Sequence, residues 1–361
     1  MKTRQFQLQF HTPAFLGDAT QSGRWRTPPF KAQLRQWWRV AYAGQQRFAV
    51  NVGEMRDIEG RLFGHAWLEE DCDAQSNKVA ARKSLVRIRL SQWNQGKELQ
   101  WPSNDSQISH PNVHDRDGKQ KPVGAQLYMG FGPLMFDKGT ALKSHAAIQT
   151  GELAHLSVAY PESESPRIEH AFELMSLFGT AGGRSRNGWG SYSLSPIDGE
   201  SMPSHVLPTQ TLEKCLRAEW PYAVGKDIQS PLVWQTQRHK DWAGLMKTLA
   251  QIKIALRTQF VLTTGKTQNP EDRHWLSYPV TNHPVTSWGN NARLPNQLRL
   301  KVRPTSDGQL VGVIFHMPHL PPTDFKPDPK ELERIWRQVH QHLDSAPAPD
   351  KAHLKLTRIT A

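Results

Sequence analysis

Residues 179–194 run GTAGGRSRNGWGSYSL, glycines surrounding Arg184 and Arg186. Two phosphate chemistries suit such a stretch: cradling a nucleotide, or gripping a longer phosphodiester chain. A nucleotide loop needs G-x-x-x-x-G-K-[ST], because the lysine and hydroxyl serve phosphate and Mg²⁺. Gly183 and Gly188 have that spacing, but Trp189 and Gly190 stand where lysine and hydroxyl are required. The stretch also follows a helical pattern and leads into a strand, the reverse of a dinucleotide fold. Nucleotide binding is therefore rejected. What remains is an ordered loop whose glycines permit positive φ and close backbone approach, while Arg184, Arg186 and Asn187 meet phosphates. A sharp turn with two solvated arginines is the plain alternative.

A second basic segment, RWRTPPFKAQLRQWWR, spans residues 24–39 and contains no acid. Lys31, Arg35 and Arg39 recur at i, i+4 and i+8, along one edge of a helix, with Arg24 and Arg26 just before it. Trp25 and Trp189 flank arginines in loops and are candidates for base stacking, whereas Trp37 and Trp38 read as core. His11 and Asp18 could serve acid–base cleavage of RNA, although a surface histidine or turn aspartate is commoner. No nucleophile elbow or paired-carboxylate pattern is present. HPNVHDRD (His110, His114, Asp115, Asp117) lies in an aperiodic loop, HMPH (His316, His319) at a strand end, and EEDCD (Glu69 to Asp73) reads as a solvated face. No metal and no cofactor are expected. Two cysteines, Cys72 and Cys215, exclude a disulfide framework.

The elements that must hold these residues follow from periodicity. The QFQLQFH stretch alternates, putting Phe6, Leu8 and Phe10 on one face of a strand. Residues 28–44 form a helix, with Thr27 as cap, Pro28 and Pro29 in its first turn and Gly44 at its end. RLFG at 61–64 reads as a turn. KSLVRIRL (83–90) is a strand with Arg87 and Arg89 on one face. Residues 91–150 are turn-rich and aperiodic, a long functional loop or a disordered one. LAHLSVAY (153–160) is a strand and RIEHAFELMSLFG an amphipathic helix leading into the glycine-rich stretch. After an irregular boundary come a helix at 241–260 and a hairpin turned at Asp307-Gly308. Its first strand sets Arg299, Lys301 and Arg303 opposite Leu298, Leu300 and Val302. A last helix at 328–343 follows. The fold class is α+β, a split β-α-β arrangement of the ferredoxin-like (RRM-like) kind with a large insertion. Domains are expected at 1–200, with the insertion near 91–150, and at 201–361, where the same elements recur more weakly. A net charge of +12 favours a polyanionic partner, usually nucleic acid. The absence of a long apolar run and of a signal-peptide pattern points to a cytoplasmic protein without a membrane partner.

Four ordered motifs carry a family resemblance: FHTPAFLGDA, RWRTPPFKAQLRQWWR, RLFG and LFGTAGGRSRNGWGSYSL. The chain resembles the RAMP superfamily of CRISPR effector subunits. Its wording is closest to the subunit that caps the type III-B (Cmr) complex, or to a related type III or type IV backbone subunit. The resemblance covers roughly residues 5–194. It implies a ferredoxin-type RAMP fold and a multisubunit ribonucleoprotein serving antiviral defence. Its implied partners are guide (CRISPR) RNA, target RNA or DNA, and other effector subunits. In that family the helix start and the glycine-rich loop contact the guide or target backbone. The candidate contacts are thus Arg24, Trp25, Arg26, Lys31, Arg35 and Arg39, with Gly182, Gly183, Arg184, Ser185, Arg186, Asn187 and Gly188. Arg87, Arg89, Arg299 and Lys301 extend them. Segment 91–150 would be a thumb-like insertion reaching a neighbour or the guide. The main reading is a non-catalytic RNA-binding subunit. An RNA-cleaving subunit using Asp18, metal-dependent or acid-assisted, and a free-standing single-strand RNA-binding protein are the alternatives.

Overall fold

The computed structural model describes every residue except 67, 69, 70, 74, 103, 264 and 361. Strand β1 (Lys2–Phe10) buries Phe6, Leu8 and Phe10 and turns Gln5, Gln7 and Gln9 outward, as the alternation dictates. Helix α1 (Pro28–Gln45) starts on its two prolines, but the Thr27 side chain makes no capping bond, and the helix continues past Gly44. A further helix, α2 (Val52–Phe63), stands where sequence periodicity gave only a terminal turn. It is capped by the Asn51 side chain, which accepts from the amides of Gly53 and Glu54. Next come β2 (Arg87–Leu90), a short helix α3 (Ala125–Gly130) and a hairpin of β3 (Leu134–Phe136) and β4 (Thr140–Leu142). Then follow β5 (Leu153–Tyr160), α4 (Ser165–Phe178) and β6 (Tyr192–Pro196). These four long strands form one antiparallel sheet in the order β2-β5-β1-β6.

The second half repeats the plan. Strand β7 (Val233–Thr236), helix α5 (Trp242–Thr258), the hairpin β8 (Leu298–Pro304) and β9 (Leu310–His316), helix α6 (Pro329–Asp344) and β10 (Leu356–Arg358) follow in turn. The sheet order is β8-β9-β7-β10, again antiparallel. Ranked within its own half, each sheet therefore runs second, third, first, fourth, with a helical connection after the first strand and another after the third.

The two halves are stacked. Phe172 of α4 packs on Phe6 of the first sheet at 4.8 Å, and Phe178, at the other end of α4, packs on Phe315 of the second sheet at 4.8 Å. Trp37 of α1 meets both Phe178 and Phe315. The far face of the second sheet is covered by α5 and α6 through Leu245, Leu249, Ile335 and Trp336. The layers run sheet, helices, sheet, helices.

This stacking corrects one expectation. Leu298, Leu300 and Val302 of β8 join the outer core, so the basic face of that strand points at the inner helical layer. Lys301 is buried, and its Nζ donates to the carbonyls of Ser176 (2.6 Å) and Met175 (3.3 Å), which lie in the last turn of α4. Carbonyls in a last turn run short of intrahelical donors, so the ammonium serves Ser176 O and adds to the Gly179 amide that Met175 O already accepts. Arg303 lies over the Phe178 ring. Arg299 is buried as well, and burial, with Arg186 alongside, lowers its pKa to about 9. Arg299 and Lys301 are interior residues here, closed off from any RNA.

The buried pair His316 and His340 gives the second half a pH dependence. Nδ1 of His316 and Nε2 of His340 lie 2.9 Å apart, so one nitrogen donates and the other accepts. Burial first, then neighbouring charges, hold both rings neutral, with pKa values below the ordinary histidine range. The unfolded chain binds protons that the folded one refuses. Stability is therefore full above roughly pH 6.5 and falls below it, by about 1.4 kcal/mol per pH unit for each proton excluded. Urea unfolding at pH 7 and pH 5.5 should show this loss, and His340→Gln should reduce its slope.

Candidate nucleic-acid interface

The loop after β1 and the glycine-rich loop after α4 leave neighbouring strands of one sheet at the same end, because β1 pairs with β6. Backbone hydrogen bonds fasten them to each other and to the insertion. Gly183 N donates to Phe15 O (2.9 Å), Gly190 N to Pro13 O (2.9 Å), and Gly23 N to Ala146 O (2.9 Å). Between the three segments lies a cleft of about 640 Å³. Phe15, Gly17, Gly23 and Arg26 line it from the first loop, Gly182 and Gly183 from the second, and Gly132, Lys143 and His145 from the insertion. Among the described residues, no acid lines it.

The glycine-rich loop is ordered. Asn187 N bonds Arg184 O and Gly188 N bonds Ser185 O, so residues 184–188 form tight turns, with Arg184 itself at φ +54°. Thr12 Oγ1 and Ser191 Oγ both donate to Gly188 O at 2.8 Å. The second half braces the loop from outside: Leu300 N donates to Arg186 O, and Lys253 Nζ donates to Asn187 Oδ1 at 2.8 Å. Asn187 in turn donates to Met129 O through its side chain. Two glycines are required by sterics. A Cβ on Gly182 (φ +96°) would meet Phe15 O at 2.6 Å, and one on Gly190 (φ +61°) would meet Ala181 O at 1.9 Å.

The candidate side chains divide sharply. Arg26 reaches the cleft, and its Nη1 donates to Gly17 O at 2.5 Å. Arg24 is half-exposed beside it, its Nε 3.4 Å from Asp18 Oδ2. Arg184 borders the cleft near Gly132, with its Nε donating to Phe131 O. Arg186 is half-buried, its Nη1 donates to Asn296 O, and burial lowers its pKa. Lys31 donates to Phe63 O at 2.8 Å. Arg35 and Arg39 both bind Glu59 of α2, a buried carboxylate, at 2.7 Å. The helix stripe thus serves to pin α2 to α1. Arg87 and Arg89 are exposed on β2, across the open sheet face from the helices. Ser185 lies on the turn and lines no part of the cleft.

The tryptophan expectation is overturned. Trp25 and Trp189 are fully buried and offer no face to a base. Trp25 stacks on Phe30, and its Nε1 donates to Glu152. Trp189 sits among Phe15, Trp101 and Trp242, tying the glycine-rich loop to the insertion and to α5. Asp18 is committed to its own turn: Oδ1 accepts from Thr20 N, Thr20 Oγ1 and Ser22 N. Those bonds, Thr20 first, hold its pKa below the usual carboxylate range. His11 is buried against Ser193, and burial, then Lys301, lowers it to about 4. Within EEDCD, Asp71 pairs with Arg82 and His65, while Glu69 and Glu70 lie outside the described residues.

Sequence reasoning missed Lys143 and His145. They sit just after the β3–β4 hairpin, in a stretch without periodicity. Their one signal is the acid-free run from Lys138 to Gly151. No helix among the described residues is long and apolar enough to cross a membrane.

No family model matches the chain, and no curated protein does. Solved structures do. Cmr1 from Pyrococcus furiosus in its apo form shares 12% identity over 94% of this chain and 97% of that one, with a TM-score of 0.43. A chain of the type III-B Cmr-beta complex bound to cognate target RNA shares 10% identity over 93% and 99%, at 0.46. A chain of a type IV-B CRISPR complex shares 10% identity over 56% and 94%, at 0.28.

Proposed function

We infer that the chain is a non-catalytic RNA-binding subunit of a multisubunit CRISPR effector ribonucleoprotein, holding a guide or guide–target backbone in the cleft. The observation that carries this reading is the convergence of the two basic, glycine-bearing motifs on one acid-free cleft with Lys143 and His145. Arg26, Arg24, Arg184 and Lys143 supply the charge, and Gly182 and Gly183 let a phosphate chain approach the backbone. Each half would be a ferredoxin-like unit, about 1–200 and 201–361, a reading supported by the shared second-third-first-fourth strand order. The insertion would act as the thumb. Its hairpin region exposes Phe131 and Phe136, apolar side chains suited to a neighbouring subunit. Outward residues of β1 and β5 include no Phe, Tyr or Trp, and the imidazole of His155 is the one ring they offer, so the open sheet face lacks the Phe/Tyr stacking platform of an RRM.

Native purification tests this reading. The full chain should co-purify with RNA of discrete length and with other subunits, and the RNA should dissociate at high salt. An isolated monomer that binds single-stranded RNA tightly without partners would favour the free-standing alternative. A monomer that neither carries nor binds RNA would overturn both.

A further inference from the structure

Among the described residues, one group of side chains has the make-up of a metal site: His170 and Glu173 of α4, and His205 of the crossover that follows β6. His170 and Glu173 are three apart and share one helix face. One ligand atom from each of the three lies within 4.8 Å of the others. His170 is 6% exposed, and its Nε2 is buried without a hydrogen-bond partner, which native interiors seldom leave. The His170 and His205 rings stack at 4.4 Å. Glu173 Oε2 already accepts from the His205 amide (2.9 Å) and bonds its Nδ1 (2.8 Å). The crossover is thus held at the right place, and His170 is the donor left over.

We propose that His170, Glu173 and His205 bind one Zn²⁺. Two imidazoles and a carboxylate suit zinc, whose bonds of about 2.0–2.1 Å in a tetrahedron set donor atoms roughly 3.3 Å apart. Closing the group to that spacing turns the His205 ring out of its stack on His170, and His205 lies on an irregular segment and is partly exposed. Glu173 can keep the His205 amide on Oε2 and turn Oε1 to the metal. Solvent reaching Glu173 and His205 supplies a water as fourth ligand. The ion staples the crossover between the halves to the helix that delivers the chain into the glycine-rich loop. This site stands apart from the cleft and holds or fails independently of the RNA reading.

The test uses the full chain, stripped with a chelator and titrated with Zn²⁺ by calorimetry and with Co²⁺ by visible absorption. One equivalent of Zn²⁺ should bind, and Co²⁺ should develop the intense bands of a tetrahedral site. His205→Gln, at a partly exposed loop position, should keep its circular dichroism, lose the Co²⁺ bands and bind Zn²⁺ at least about 100-fold more weakly, the upper effect of losing even an outer-shell partner. Glu173→Gln provides the second variant, with the same expected loss. A wild-type chain that takes up no stoichiometric Zn²⁺ would overturn the proposal. So would a folded His205→Gln or Glu173→Gln protein with unchanged affinity.

Discussion

Reversing both Arg26 and Lys143 to glutamate should weaken single-stranded RNA binding on the order of 100-fold and leave the fold intact. The magnitude follows from two charge-assisted phosphate contacts, each about tenfold or more. Arg26 and Lys143 pair with no carboxylate among the described residues, so neither reversal strands a buried acid. The slope of log K against log salt should shrink by about 1.4, two phosphates at roughly 0.7 each for a single strand. Filter binding at several salt concentrations measures both quantities. An unchanged slope would remove the cleft from the RNA path. Reversal at Arg35 or Arg186, the choice sequence alone suggests, is a poorer probe. At Arg35 it sets a second carboxylate beside Glu59, and at Arg186 it places a half-buried one against the carbonyl of Asn296.

Gly190→Ala should be the most damaging single-methyl change in the molecule. The new Cβ would lie 1.9 Å from Ala181 O at a φ of +61°, and Ala181 N bonds the carbonyl of Gly190 itself. Left-handed backbone costs a side chain about 1–2 kcal/mol, and relieving the clash breaks the bonds to Pro13 and Ala181. A loss on the order of 3 kcal/mol follows, or roughly 4 °C in Tm for a chain of 361 residues. Gly199→Ala is the control, since its φ is +82° but nothing lies within 4 Å of a Cβ there. It carries the backbone strain without the collision, so its shift should be smaller, about a third to two-thirds as large. Equal shifts in thermal unfolding would refute the steric account.

Local pattern exposed much of this architecture and little of its wiring. The alternation in β1 and the 3.6-residue stripes in α1 and α4 are properties of neighbours in sequence, and they survive in the structure. Helix α2 escaped notice because its buried face includes Glu59 and Gly60 and so lacks a clean apolar stripe. A cation's job was the hardest thing to infer. Arg35 and Arg39 look like a phosphate-binding edge until Glu59, 20 to 24 residues away, is folded against them. Lys301 looks like an exposed strand lysine until the end of α4, 125 residues upstream, is laid across it. The same distance hid His205 from Glu173, 32 residues apart across a strand and a loop. Glycine requirements were easier to anticipate, because positive φ and close approach are written into a local motif.

The inner helical layer has a mechanical consequence. Because α1 and α4 are clad on both sides by sheets, the two halves share one packed layer at their seam. Lys301 acts as a rivet through that seam, its ammonium held on helix carbonyls. The molecule is better pictured as a laminated wedge than as two beads on a string. The cleft at one end of the first sheet and the insertion beside it belong to the same packed body.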